Sequence, residues 1–155
     1  MAPYSHPPLE GGSTNSEQSE EFFGEGSLPT LRALHQILDK PTIFTDPLAL
    51  KIVGPEAEAE LCKRNDPRAE ETRPGLRAFI AARSRLAEDT LAEAVAQGVG
   101  QYVLLGAGLD TFAYLAAGSY PGLNVFEVDH PATQGWKRER LSGAGIEIGR
   151  ASCRE

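Results

Sequence analysis

Cysteine and histidine are scarce in these 155 residues. Cys62 and Cys153 have no metal-like spacing and form no disulfide framework, a usage that suits a reducing cytoplasm. His6, His35 and His130 are scattered, so no histidine-based metal site is expected. No run of eighteen apolar residues exists, which argues against a membrane-spanning helix. The opening stretch MAPYSHPPLEGG has no basic start leading into an apolar segment, so no secretory signal is expected. Positive charge is in deficit as well: 15 Lys and Arg stand against 22 Asp and Glu, a formal net charge of −7. A nucleic-acid-binding face needs clustered cations, so no nucleic-acid partner is expected. There is no Ser-His-Asp or Cys-His arrangement, no metal-ligand cluster, and no internal repeat.

What remains is the composition of one soluble globular domain, 41% hydrophobic and 24% charged. Residues 1–27 are rich in Gly, Ser, Glu, Pro and Asn, and a segment so polar buries too little surface to offset its ordering entropy; disorder is expected there. The other end, EIGRASCRE over 147–155, has neither helical nor strand periodicity. It back-translates as GAG ATC GGA AGA GCG TCG TGT AGG GAA, which looks like a common short-read sequencing adapter read in frame. The expectation is that the natural gene runs on past about Ile146 and that 147–155 is an artefact, set aside from fold reasoning.

Between these ends the chain is helical first. Ser27 can cap a helix, Pro29 suits its first turn, and Leu31, Leu34, Ile37 and Leu38 recur at helical spacing until Lys40-Pro41. Asp46-Pro47 opens a short helix closed by Gly54, and Pro55 to Cys62 forms another. A polar loop follows, and Pro74 starts the longest helix. Its stripe of Leu76, Phe79, Ile80, Leu86, Thr90, Leu91, Ala94 and Val95 predicts the packed face, and Gly98 ends it.

The pattern then changes. Gln101 to Leu105 (QYVLL) predicts a short buried strand, followed by the turn Gly106-Ala107-Gly108 and a helix from about Asp110 to Ala117. Leu123 to Val128 predicts a second strand, and Pro131 to Gly143 a last helix. Strand, glycine turn, helix and strand make a βαβ unit with parallel strands. A glycine turn at a strand tip allows close backbone approach to a ligand, and an acidic residue after the next strand can accept both hydroxyls of a ribose. Gly106, Gly108 and Asp129 stand at that spacing, with Glu127 two residues earlier. The residues alone predict a nucleoside-containing cofactor. A dinucleotide fingerprint would want a third glycine where Thr111 stands, which weighs against NAD and towards S-adenosylmethionine, a nucleoside without a pyrophosphate. Asp129 could also cap the helix that opens at Pro131.

The segments YVLLGAGLDTFAY from Tyr102 and VFEVDHPAT from Val125 closely resemble the leucine carboxyl methyltransferase-like family of class I S-adenosylmethionine-dependent methyltransferases. RALHQILDKPTIFTDPLALKIVG from Arg32 and ARSRLAED from Ala82 resemble that family's N-terminal helical cap, so the likeness covers roughly residues 28–146. The resemblance implies an α/β chain. A helical cap (28–98) precedes the first βαβ part of a Rossmann-like methyltransferase sheet (99–146), which is truncated. It implies S-adenosyl-L-methionine as cofactor, with the Gly106 loop facing its methionine part, Asp129 holding the ribose and Arg83 meeting the carboxylate. Asp110 would cap the helix or order the loop, and Leu115 stands where the family usually has an arginine. A small-molecule or carboxyl-bearing acceptor would receive the methyl group, in the cytoplasm, with no catalytic residue identified and the fragment itself inactive. Two rivals remain: part of an NAD- or FAD-binding Rossmann oxidoreductase, and a non-enzymatic interaction module built on the helical cap.

Overall fold

The computed structural model describes residues 27–69 and 72–146. The expectations for 1–26 and 147–155 lie outside the described residues. Ser27 does what its position predicts: it caps α1 (Leu28–Leu38), and its Oγ accepts the Thr30 N–H at 3.4 Å. Next come α2 (Ala49–Val53), α3 (Pro55–Leu61) and α4 (Pro74–Ala96). Ala33 and Leu34 of α1, Ala49 and Val53 of α2 and Leu61 of α3 form one apolar cluster. Gly54 joins α2 to α3 at φ +97°, a conformation that favours glycine.

The remainder is β1 (Gln101–Leu105), α5 (Phe112–Ser119), β2 (Asn124–Val128) and α6 (Pro131–Gly143). β1 and β2 pair in parallel from Gln101↔Asn124 to Leu105↔Val128. Ala113 and Ala116 of α5 pack with Val125 beneath this two-stranded sheet, and Phe112 meets Tyr102 edge-on at 5.4 Å. A third cluster joins the two parts: Leu48 and Ile52 pack with Leu109 and Leu141. Leu115 packs against that cluster.

Three expectations need correction. The packed face of α4 is Arg77, Ile80, Ala81, Ser84 and Leu91, whereas Leu76, Phe79 and Leu86 are exposed. The buried line is rotated by about a quarter-turn from the apolar stripe. The cause is Arg77, which turns inwards because its charge is met there. Second, β1 is not a buried strand: Val103 and Leu105 are 52% and 78% exposed, since a two-stranded sheet covered by α5 leaves one face bare. Third, α5 starts at Phe112, two residues later than Asp110, because Asp110 and Thr111 are drawn into side-chain bonds with α1 and the turn before α2.

Arg77 is 1% exposed. Its Nε and NH2 donate to the two carboxylate oxygens of Asp39 at 2.8 Å each, while NH1 reaches the Thr72 carbonyl at 2.8 Å and NH2 the Pro67 carbonyl at 3.0 Å. His35 joins from the other side. Its Nε2 accepts the N–H groups of Ile43 and Phe44, so Nδ1 carries the ring hydrogen and donates to Asp39 at 2.8 Å.

The Arg77 hydrogen bond, opposed by partial burial and aided by His35, holds the Asp39 carboxyl below the usual aspartate range. A depressed folded-state value stabilises the fold above about pH 4 and loses that contribution as pH falls through it. Asp39→Asn is therefore expected to be less stable than the native chain at pH 7, with the gap narrowing below about pH 4. Urea unfolding of both chains across pH checks this, and a gap that stays constant into acid would contradict it.

Candidate functional site

The register of the sheet builds the site. Leu105 and Val128 end their strands side by side, so the residues that follow emerge together. Gly106 and Gly108 adopt φ +64° and +50°, left-handed values that bend the chain sharply after β1. The Gly106 and Ala107 N–H groups donate to the Val128 carbonyl at 2.9 and 3.3 Å. The Gly108 N–H donates to Asp129 Oδ2 at 2.5 Å, and Asp129 Oδ1 accepts the His130 N–H at 2.6 Å. The structure thus brings Gly106, Gly108 and Asp129 together. The loop N–H groups, however, are turned towards the tip of β2. The half-buried Asp129 carboxylate uses one acceptor position on each oxygen for the backbone and keeps the others. Asp129 is not the cap of α6; His130 is, its Nδ1 accepting the Ala132 N–H at 3.2 Å.

Beside the loop lies a narrow crevice whose lining includes Arg32, Asp46, Ser84, Glu88, Asp110 and Thr111. Arg32 NH2 donates to Asp110 at 2.6 Å and NH1 to Asp46 at 3.3 Å, with the guanidinium 5.5 Å from the centre of the Phe44 ring. Opposed by burial but favoured by Asp110 and Asp46, Arg32 is held firmly in its charged form. Burial, then the charge of Asp110, pushes the Glu88 carboxyl up. Arg32 Nε and Ser84 Oγ are buried without a hydrogen-bond partner among the described residues. Asp110 orders the loop as expected: its Oδ1 accepts the Phe112 N–H at 2.8 Å.

Arg83 is placed elsewhere. It is exposed and lines an open apolar groove of about 550 Å³ along α4 and β1, with Leu86, Leu91 and Val99. Ala87 and Tyr102 border both this groove and the crevice. Among the described residues Arg83 makes no hydrogen bond or ion pair. Arg32 is the arginine that the structure brings to the loop. Sequence reasoning passed over it, although a charged residue inside the apolar repeat of α1 is itself a signal.

Glu127 lies in the core, where it pairs with Lys137 at 2.5 Å with both side chains fully buried. Burial raises its carboxyl, against the opposing pull of Lys137. Among the described residues no group of three His, Cys, Asp or Glu side chains could hold a metal ion, and no helix is long and apolar enough to cross a membrane.

The parallel strand pair thus carries a glycine bend and a carboxylate at adjacent tips. The sequence model of leucine carboxyl methyltransferase matches residues 29–153, and the chain belongs to that family. YktD of Bacillus subtilis, a candidate S-adenosyl-L-methionine-dependent methyltransferase, is 33% identical over 155 residues, which is 80% of this chain and 49% of YktD. A protein of the same description from Mycolicibacterium paratuberculosis is 44% identical over 71 residues, 45% of this chain and 22% of its own. Another, from Mycolicibacterium gilvum, is 33% identical over 124 residues, covering 74% and 39%. The chain spans about half the length of YktD, or less of the other two relatives.

Proposed function

We propose that this chain carries the cofactor-holding front part of a cytoplasmic S-adenosylmethionine-dependent O-methyltransferase acting on a carboxyl or hydroxyl acceptor. One observation carries the reading: the Asp129 carboxylate meets the Gly108 N–H at 2.5 Å across the tips of adjacent parallel strands. The residues present fit the cofactor. Asp129 keeps acceptor positions for two ribose hydroxyls, and no side chain crowds Gly106, where an added Cβ would find nothing within 4 Å. The methionine end is a zwitterion, and the crevice beside the loop suits both its charges. Arg32 Nε and Ser84 Oγ are unspent donors for a carboxylate, while Glu88 and Asp110 are acceptors for an ammonium. The family resemblance gave the carboxylate to Arg83, which is exposed on the neighbouring groove.

The cofactor supplies an electrophilic methyl on a positive sulfur; the protein's task is to hold and orient. Asp129 fixes the ribose, the glycine bend lets the chain turn away from the nucleoside, and the core beneath keeps both strand tips in register. The acceptor side is unaccounted for among the described residues. Val103, Leu105 and Val128, 52%, 78% and 45% exposed, leave apolar surface on the sheet that a methyltransferase would need covered to exclude water. We therefore also propose that this chain alone binds the cofactor without turnover.

Isothermal titration of the chain with S-adenosylmethionine tests the reading, beside an assay for S-adenosylhomocysteine. Saturable heat with no product formed is the expected result. Heat with NAD and none with S-adenosylmethionine would instead favour the oxidoreductase, against which stands Thr111, buried and bonded where a dinucleotide site needs glycine.

A further inference from the structure

We propose that Asp46 and Thr111 form a positioning pair through which the N-terminal helices set the glycine loop for the cofactor; this rests on the methyltransferase reading above. Asp46 lies in the turn before α2 and is 2% exposed. Its backbone is held from both sides by Gln36, whose Oε1 accepts the Asp46 N–H and whose Nε2 donates to the Asp46 carbonyl, each at 3.0 Å. Oδ1 accepts the Leu48 N–H at 3.0 Å. Three of its polar groups are thus spent within the helical part. Oδ2 faces the other way, accepting Arg32 NH1 at 3.3 Å and the Thr111 hydroxyl at 2.7 Å from 65 residues further along the chain.

Thr111 is 1% exposed and sits where the loop enters α5. Two further contacts carry its position back to the glycines. Asp110 is gripped by Arg32 at 2.6 Å, and the Asp110 N–H donates to the Ala107 carbonyl at 2.8 Å, closing the bend from which Gly108 reaches Asp129. Two glycines give this loop more conformational freedom to lose on ligand binding than other residues in their places would. Anchoring its far end beforehand lowers that cost, and so raises affinity without touching the ligand.

The test replaces Thr111 by Val, which keeps the shape and deletes the hydroxyl, and by Ser, which keeps the hydroxyl. Two readouts are taken on the whole chain: S-adenosylmethionine affinity by calorimetry, and hydrogen exchange of the loop amides without any ligand. Thr111→Val is expected to weaken binding by up to about tenfold, because the released loop must then be ordered on binding, and Thr111→Ser by less than about twofold. The Gly108 and Phe112 amides should exchange faster in the Val chain than in the Ser chain, with amides in the middle of α4 unchanged in both. Equal exchange and equal affinity in the two variants would overturn the pair, and so would faster exchange throughout α4, which would mean general loosening. If the native chain binds no S-adenosylmethionine, the methyltransferase reading fails, and loop exchange alone decides whether the pair orders the loop.

Discussion

Asp129→Ala is expected to lower the affinity for S-adenosylmethionine by roughly two orders of magnitude or more while leaving the thermal midpoint almost in place. A hydrogen bond to a charged group is worth about 1.5–3 kcal/mol, and the carboxylate is assigned two ribose hydroxyls, so about 3–5 kcal/mol of binding goes with it. The fold loses much less. Removing the carboxylate strands the Gly108 and His130 N–H groups, but the site is half open and water can replace it, which keeps the stability cost within about 1 kcal/mol. Asp129→Asn should fall between, since the amide oxygen still accepts but without charge. Calorimetric titration and a melting curve on each variant separate binding from folding. An Asp129→Ala chain that binds like the native one would remove the ribose assignment, and one that melts far lower would make Asp129 a structural residue.

That carboxylate was legible in the sequence because its information is local. Several elements around it are bounded by proline or glycine, whose backbone preferences act within a residue or two: Pro74 opens α4, Gln101–Leu105 runs between glycines, and α6 spans Pro131–Gly143. Two strands in parallel register then leave Gly106 and Asp129 no choice but to emerge side by side. The face of α4 was not legible, because its apolar stripe is wide enough to be packed on either flank. Leu76, Phe79 and Leu86 lost to a flank carrying Arg77, and what decided it was Asp39, 38 residues away. The crevice was missed for the same reason. Arg32 and Asp110 are 78 residues apart and Asp46 and Thr111 are 65 apart, distances over which periodicity carries nothing. The only local hints were charges within apolar runs: Arg32 and His35 in α1, Arg77 in α4. Each turned out to be buried and bonded, the condition under which such residues are tolerated in a core.

Arg77→Ala should cost about 3–5 kcal/mol, the largest loss expected from any single change here. Asp39 is 26% exposed, so water can partly rehydrate an abandoned carboxylate and the lost ion pair accounts for the smaller share. The larger share comes from the carbonyls of Thr72 and Pro67, which both lean on the guanidinium, and from the volume a fully enclosed side chain leaves behind. Small domains are stable by only about 5–15 kcal/mol, so the change removes a large part of that margin. Arg77→Lys sharpens the point: it restores the charge but cannot bridge both Asp39 oxygens and two carbonyls at once, so it should recover less than half of the loss. Arg77→Met, which fills volume without charge, should recover a comparable part. Urea unfolding of the three variants ranks charge against geometry and packing. Full recovery with Lys would mean that charge alone turns α4 inward, and that the fork of bonds to residues 67, 72 and 39 adds little.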